Sequence, residues 1–475
     1  MGSIAKLSRN SFPDGFLFGS SSSAYQFEGE TNRRGKGPNI WDTFIEEHPE
    51  RISDHSNAKV AVDFYNRYKE DVQRMRGMGM DAFRFSYFLS HIFPYFDFSI
   101  IELNSSDGRL SAGINEEGIQ FYNNLIDELI KNGIQPYVTL FHWDTPQAIE
   151  DKYGGFLSPD IFVNGYDTGS MAPGRISTLE NYPGQPKISG ATEVYIVTHH
   201  LLLAHATAVK VYKEKYQTRQ GGKIGITLVS HWFEPYSTSE SDRMATKRSL
   251  DFMLGWYMDP LTKGEYPQNM HDYVGGRLPR FSEEESKMLR GSYDFIGINY
   301  YTTYYAQNVE DVNYKNIGFM EDARVNWPGE RNGIPIGPQA GSSWLYIYPE
   351  GIRHLLNYVK DAYENPTIYI TENGKNRANS PHVFMEALND PIREQYYKDI
   401  FHNVLKSIND HGVDVKGFFA WSFLDDFEWG SGYGSRFGLF YIDYENNLKR
   451  YAKNSVKWFE QFLKKDESTK LNDNM

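Results

Sequence analysis

An alternation of two patterns constrains this chain more than any other feature. Short apolar, β-rich runs recur along it with amphipathic helical stretches between them, the order expected of βαβ units and a parallel sheet. The runs at 16–20, 82–86, 135–142, 224–230, 294–300, 367–371 and 415–421 read as strands. Stretches 58–78, 115–132, 194–215, 242–256, 349–362, 391–410 and 452–464 read as helices. Polar residues gather where strands end, at His142-Trp143-Asp144, Asn299-Tyr300-Tyr301, Thr371-Glu372-Asn373 and Trp421. In a (β/α)8 barrel those C-terminal ends form the catalytic face. A buried parallel sheet explains the apolar runs but not the polar groups that terminate them. The expected fold class is therefore α/β, a (β/α)8 TIM barrel.

Seven runs are one too few for a closed ring. Between Asp144 and Ile224 the chain offers a short helix near 146–152, a Gly- and Pro-rich loop, and the helix from Val194. No strand-like run lies between Gly154 and Glu193. The expected barrel lacks its fourth strand and a flanking helix. A length of 475 residues suits one such barrel with long loops. Residues 1–465 are expected to form a single domain, and 466–475 a disordered polar tail.

Composition excludes several function classes. The net charge is −13 and the basic residues are dispersed, unlike the clustered footprint of a nucleic-acid surface. There is no cysteine, so disulfides and thiolate metal sites are out. No apolar signal segment follows Lys6, and position 6 is Lys where a myristoylation motif wants Ser or Thr. The most apolar stretch, 87–103, is interrupted by His91, Pro94 and Asp97, so no membrane span is expected. A cytoplasmic location is the default expectation. Aromatic residues reach 16%, which suits sugar-stacking surfaces as well as ordinary core packing.

The phrase Ile370-Thr371-Glu372-Asn373-Gly374 ends a β-branched strand with a carboxylate and a turn. A rigidly held carboxylate is what a retaining glycosidase needs as nucleophile, and equally what caps a following helix. Its context resembles glycoside hydrolase family 1, the plant β-glucosidases. The resemblance runs through Phe16-Leu17-Phe18-Gly19, Ala24-Tyr25-Gln26-Phe27-Glu28-Gly29, Trp41-Asp42-Thr43-Phe44, Phe83-Arg84-Phe85-Ser86 and His142-Trp143-Asp144-Thr145-Pro146-Gln147. It continues at Ala172-Pro173-Gly174-Arg175, Gly297-Ile298-Asn299-Tyr300-Tyr301 and from Trp421 to Trp429, covering the chain from Ser11 to Phe462.

The resemblance implies roles. Glu372 is the expected nucleophile. Arg84 and Tyr301 are its expected partners, since a cation and a phenol beside a carboxylate favour its ionised form. Gln26, His142, Trp143 and Glu428 are expected to bind glucose hydroxyls. Trp421 is the expected stacking platform, with Trp429 beside it. His231-Trp232-Phe233, Trp344 and the stretch from Tyr433 to Phe437 are expected to wall the aglycone pocket. The run Glu47-His48-Pro49-Glu50-Arg51-Ile52 is similar to plant glucosidases of the raucaffricine and strictosidine glucosidase type, which act on monoterpenoid indole alkaloid glucosides. The partner implied is a small-molecule β-glucoside. No metal or organic cofactor is implied.

Two departures from the family pattern stand out. After Gly154-Gly155-Phe156-Leu157-Ser158-Pro159 the family continues through a helix into a strand ending in a Thr-x-Asn-Glu-Pro type motif. Here Asp160-Ile161 passes directly to Phe162-Val163-Asn164-Gly165-Tyr166, so about thirty residues are absent, the length of one helix, one strand and their turns. The acid/base glutamate goes with them. Asp160, Asp167, Glu193 and Glu234 are the nearest carboxylates by chain position, and each reads as a loop or surface group. The second departure is the aromatic-rich run that follows Ser86 and rejoins the family pattern near Gly108. Together they resemble exon skipping and intron retention. Three readings stand: a β-glucosidase without its acid/base residue, a non-catalytic homologue that binds glycosides or a partner, and a mis-spliced product without function.

Overall fold

The strand runs assemble into one parallel sheet in the structure, a computed structural model that describes residues 7–30, 35–92, 114–153, 170–174, 190–312, 318–378 and 384–464. Its strands are β1 (Leu17–Ser21), β2 (Ala82–Ser86), β3 (Gln135–Thr139), β4 (Gly225–Val229), β5 (Phe295–Asn299), β6 (Ile368–Asn373) and β7 (Val415–Ala420). They are ordered β3-β2-β1-β7-β6-β5-β4, and every pairing is parallel. This is the expected TIM-barrel succession. Among the described residues no strand bridges β3 and β4, so the sheet has two ends where a closed ring has none. The tail 466–475, the junction at Asp160-Ile161 and most of the run after Ser86 lie outside the described residues.

Burial records the open side. Every residue of β2 and of β6 is buried. In β3, Gln135 and Val138 are exposed and none is fully buried; in β4 only Leu228 is. The barrel interior is filled by Leu17, Ala82, Tyr137, Phe295, Tyr369 and Phe419. Glycine makes room for these rings: a Cβ on Gly19 would stand 2.8 Å from the Phe419 ring and 2.5 Å from the Ala82 carbonyl oxygen. Large and small residues thus interlock in a packed core, as in other barrels.

Among the described residues, the helices that cover the outside include α1 (Phe64–Met78), α2 (Glu116–Lys131), α3 (Gly190–Tyr212), α4 (Glu240–Leu250), α5 (Glu350–Ala362), α6 (Pro391–His411) and α7 (Asn454–Phe462). Phe12, Phe18, Phe401 and Phe462 form a ring cluster, edge-to-face except for the tilted Phe401–Phe462 pair, that locks β1 to α6 and α7. Such ring pairs each add about 0.5–1.5 kcal/mol beyond area burial. Helix α3 is long and apolar enough to cross a membrane by length and composition. It nevertheless buries Val194, Tyr195, Val197, Leu202 and Ala206 in the main core.

Boundaries differ from expectation for local reasons. The helix expected from Ala58 starts at Phe64, because Ala61 and Asp63 are left-handed at φ 48° and 57°. The helix expected over 242–256 passes into a π turn at Asp251–Gly255 and continues through Trp256–Lys263. The strand expected to reach His142 ends at Thr139, opposite Ser86, where its neighbour β2 ends. A small sheet of Trp232–Pro235, Thr303–Asn308 and Val325–Asn326 was not foreseen. It grows from the loops that follow β4 and β5.

Candidate active site

The site is built where β2, β5, β6 and β7 end. A register irregularity sits there: Ile370 pairs with Ile298, but Glu372 pairs with Asn299, so β6 spends one extra residue. Bulges of this kind re-aim a side chain next to active sites. Thr371 is the extra residue, held by its hydroxyl donating to Asn299 Oδ1 at 2.7 Å and by Ser21 donating to its carbonyl at 2.7 Å. Asn373, one step on, donates to the Tyr300 carbonyl at 2.7 Å and to Tyr396 at 2.9 Å.

Glu372 is thereby fixed at both carboxylate oxygens. Arg84 Nη1 donates to Oε1 at 2.6 Å, and the Tyr301 hydroxyl donates to Oε2 at 2.7 Å. Arg84 and Glu372 are both buried. Burial and the neighbouring Glu372 charge raise the Tyr301 phenol well above its ordinary value, so it stays a donor.

A second polar group faces the same centre. Gln26 Nε2 donates to Glu428 Oε2 at 3.3 Å and to the Phe427 carbonyl at 3.0 Å, while Ser23 donates to Gln26 Oε1 at 2.7 Å. Burial raises Glu428 to about 8, with the Glu372 charge adding to the rise and a hydrogen bond with Asp426 opposing it. The loop carrying Trp421 to Trp429 is anchored from below by Asp425, which accepts from Lys453 at 2.7 Å, Arg436 at 2.8 Å and the Gly438 backbone at 3.0 Å.

Aromatic planes complete the bowl. The His142 ring lies within 9° of parallel to Trp421 and within 7° of parallel to Trp429, at 6.1 and 6.2 Å. Trp143 packs on Trp429 at 5.2 Å. Behind them Trp41 and Tyr25 back Trp429. Trp421 is supported by Leu345 and Phe437. Trp143 and Trp429 both have left-handed backbones, φ 67° and 48°, an uncommon cost for large residues that surrounding structure must enforce. Burial, then the Arg84 charge, holds His142 neutral, well below the usual imidazole value.

All nine site residues expected from the sequence therefore converge on one face. The aglycone wall needs correction: Phe233 is fully buried against Trp327 and belongs to the core. Trp344, beside Tyr301, is 40% exposed and suits a wall. Glu234 is engaged by the Trp232 indole at 2.8 Å, and Asp160 and Asp167 lie outside the described residues. Asp426, Asn373, Ser23 and Trp41 support the site without having been singled out. Asp426 sits two residues before Glu428 inside a quoted motif, which was the available signal. Among the described residues no group of three His, Asp or Glu is arranged to hold a metal ion.

Comparisons with known proteins agree with this geometry. The family model described as glycosyl hydrolase family 1 matches residues 8–164 and 161–468, two stretches that meet at 161–164. Beta-glucosidase 12 of Oryza sativa subsp. indica is 51% identical over 491 residues, covering 97% of this chain and 94% of its own. Raucaffricine-O-beta-D-glucosidase of Rauvolfia serpentina is 47% identical over 504 residues, covering 95% and 91%. Among solved structures, a mutant of rice Os3BGlu6 beta-glucosidase in a covalent complex with Glc superposes with a TM-score of 0.90 at 44% identity, covering 97% of this chain and 100% of that one. By fold, by site and by these matches, the chain belongs to glycosyl hydrolase family 1, among its β-glucosidases, hydrolases of glycosyl bonds.

Proposed function

We propose that this site binds the glucose ring of a plant β-D-glucoside and that Glu372 attacks its anomeric carbon, as in a retaining hydrolase. The observation that carries the proposal is the Glu372 carboxylate gripped by Arg84 and Tyr301. The covalent Glc complex of the rice relative is what a retaining mechanism produces. In this reading Gln26, His142, Trp143 and Glu428 bind the sugar hydroxyls, and Trp421, with Trp429 beside it, supports the sugar face. Attack by Glu372 forms the glycosyl–carboxylate bond and breaks the bond to the leaving oxygen. Water then hydrolyses the ester.

The second half of our proposal is that the chain lacks the acid/base carboxyl that such a mechanism pairs with its nucleophile at about 5–5.5 Å. Three findings support it: among the described residues no strand bridges β3 and β4, the family match breaks at 161–164, and the rice alignment runs over 491 positions against a chain of 475. Departing oxygens that need a proton then receive none, and water attacking the glucosyl ester has no base. A second reading, glycoside binding without chemistry, is favoured by the intact Gln26–Glu428 pair. The Rauvolfia relative supports an indole alkaloid aglycone, but the rice relative is no less similar and supports none in particular. A 2-deoxy-2-fluoroglucoside with an activated leaving group separates the readings. Covalent label mapped to Glu372 is the expected result. Binding without label favours the second reading, and label elsewhere contradicts the assignment.

A further inference from the structure

Two adjacent carboxyls in the loop after β7 meet opposite surroundings. Asp425 and Asp426 are both buried, at 0% and 1% exposure. Asp425 accepts from Lys453 at 2.7 Å, from Arg436 at 2.8 Å and from the Gly438 backbone at 3.0 Å. Burial works against its charge, yet the two cations hold it below its ordinary value. The charges that act most on Asp426 are themselves acidic, Glu428 and Asp425.

Donors to Asp426 are also few. Gln26 Nε2 reaches its Oδ1 only at 3.5 Å, while the same amide lies 3.0 Å from the Phe427 carbonyl and 3.3 Å from Glu428 Oε2. An amide nitrogen has two hydrogens for these three acceptors. The neighbouring Ser422 hydroxyl donates to the Leu424 carbonyl at 2.6 Å. As an ionised carboxylate, Asp426 leaves Oδ2 buried with no donor among the described residues. Burying a charge without partners is costly. Asp426 does meet one other side chain: it is in hydrogen-bond contact with Glu428. Two ionised carboxylates offer each other only acceptors, so that contact needs a proton.

The groups around the pair favour keeping that proton. Glu428 faces the Glu372 charge and the Tyr301 phenol. Arg84 is held on Glu372, and Arg436 on Asp425. Tyr433 and Tyr444 face Asp426, and burial followed by acidic neighbours raises both phenols, so they carry no charge. Burial is the largest cause of the rise at Asp426 and at Glu428 alike.

We propose that Asp426 is a positioning residue of the sugar site: it shares one proton with Glu428, and that proton holds Glu428 where it meets the glucose hydroxyls. Like charges in contact repel, so losing the proton drives the two carboxyls apart and draws Glu428 from the Gln26 amide. Glucose binds the protonated pair tightly and the fully ionised pair weakly. This rests on the reading that Glu428 binds sugar hydroxyls.

Calorimetric binding of phenyl 1-thio-β-D-glucoside, a neutral ligand, to the full chain tests the proposal, with circular dichroism at each pH confirming that the chain is folded. The last proton of such a pair belongs to both groups and leaves near the Glu428 value of about 8. The fraction of chains that hold it then falls from about nine-tenths at pH 7 to about one-tenth at pH 9, and affinity is expected to fall about ten-fold. Asp426→Asn supplies a donor that does not titrate, so its affinity is expected to stay level over the same range. Glu28 and Asp144, raised to about 8 and about 7, titrate in both chains, so the difference between the two profiles reads the Asp426–Glu428 pair. A second measurement needs no variant and decides if Asp426→Asn does not fold. Binding to the unmodified chain takes up protons at pH 8 and none at pH 6, read from the heat in buffers of different ionisation enthalpy. A level profile in the unmodified chain, an equal fall in Asp426→Asn, or no proton uptake at pH 8 each overturns the shared proton and leaves the sugar site in place. Glu428→Ala that binds the thioglucoside as tightly as the unmodified chain, or no binding at any pH, removes the sugar-site reading and the proposal with it.

Discussion

Arg84 and Glu372 lie 288 residues apart in the chain and 2.6 Å apart in the barrel, on strands separated by β1 and β7. Neither side chain is more than 7% exposed. An ion pair this enclosed ties two distant barrel strands to one reacting group. Truncating one partner of a buried pair typically costs about 3–5 kcal/mol, because the other charge is left stranded. Arg84→Ala is therefore expected to lower unfolding stability by about that amount and to abolish Glu372 labelling. Arg84→Ala with unchanged denaturant midpoint and labelling rate contradicts this assignment.

Glu372→Gln keeps the shape and the Tyr301 contact but removes the nucleophile, since an amide does not form the glycosyl ester. Labelling by the fluorinated glucoside should vanish while the circular dichroism spectrum is retained. Persistent labelling at any residue counts against Glu372.

Gln26 is aimed by Ser23 and shared with Glu428. Leaving a buried group without its hydrogen-bond partner costs about 1–3 kcal/mol. Gln26→Ala should therefore weaken glucose-site inhibitors by roughly 5- to 150-fold, and it should also lower thermal stability, because Gln26 is fully buried and bonded to Ser23 and Glu428. Calorimetry on a glucose-like inhibitor provides the check.

Glu28 gives a pH signature away from the reacting atoms. Burial raises it to about 8, opposed in part by Lys36 and by the Tyr122 hydroxyl, which donates at 3.0 Å. A carboxyl whose folded value is raised binds more protons folded than unfolded between the two values. Its contribution is full below about 4.5 and is lost as pH rises through about 8. Stability should fall over that window, and Glu28→Gln should flatten the fall. His231, lowered to about 4 by burial, works oppositely: its contribution is present above the usual imidazole range and is lost as pH drops towards 4. Denaturant midpoints between pH 5 and 8 for both chains decide the point.

Seven strands were legible because each is an apolar run closed by polar residues, as in Ile370-Thr371-Glu372. Between Gly154 and Glu193 the sequence offers no strand-like run, and among the described residues no strand bridges β3 and β4. What sequence could not supply was anything set by tertiary pairing. The end of β3 at Thr139 depends on where β2 stops. The bulge that turns Glu372 inward depends on Asn299 opposite it. The family resemblance puts Phe233 in the pocket wall, yet Trp327 covers it. The backing of Trp429 by Trp41 and Tyr25 joins segments that no local pattern connects.

Leaving-group dependence tests the proposed lack of an acid/base carboxyl. General acid–base help is typically worth about 10²–10⁴-fold. The chain as it stands should turn over an alkyl glucoside almost not at all. With an activated aryl glucoside it should give a burst equal to the active sites, then very slow release that azide accelerates, yielding glucosyl azide. A chain repaired with the rice relative's helix and strand should hydrolyse both substrates. The decisive measurement is alkyl-glucoside turnover by the two chains side by side. A loss of at least about 100-fold is expected in the unrepaired chain; equal turnover would show that another residue supplies the proton and would contradict the proposed lack of an acid/base carboxyl.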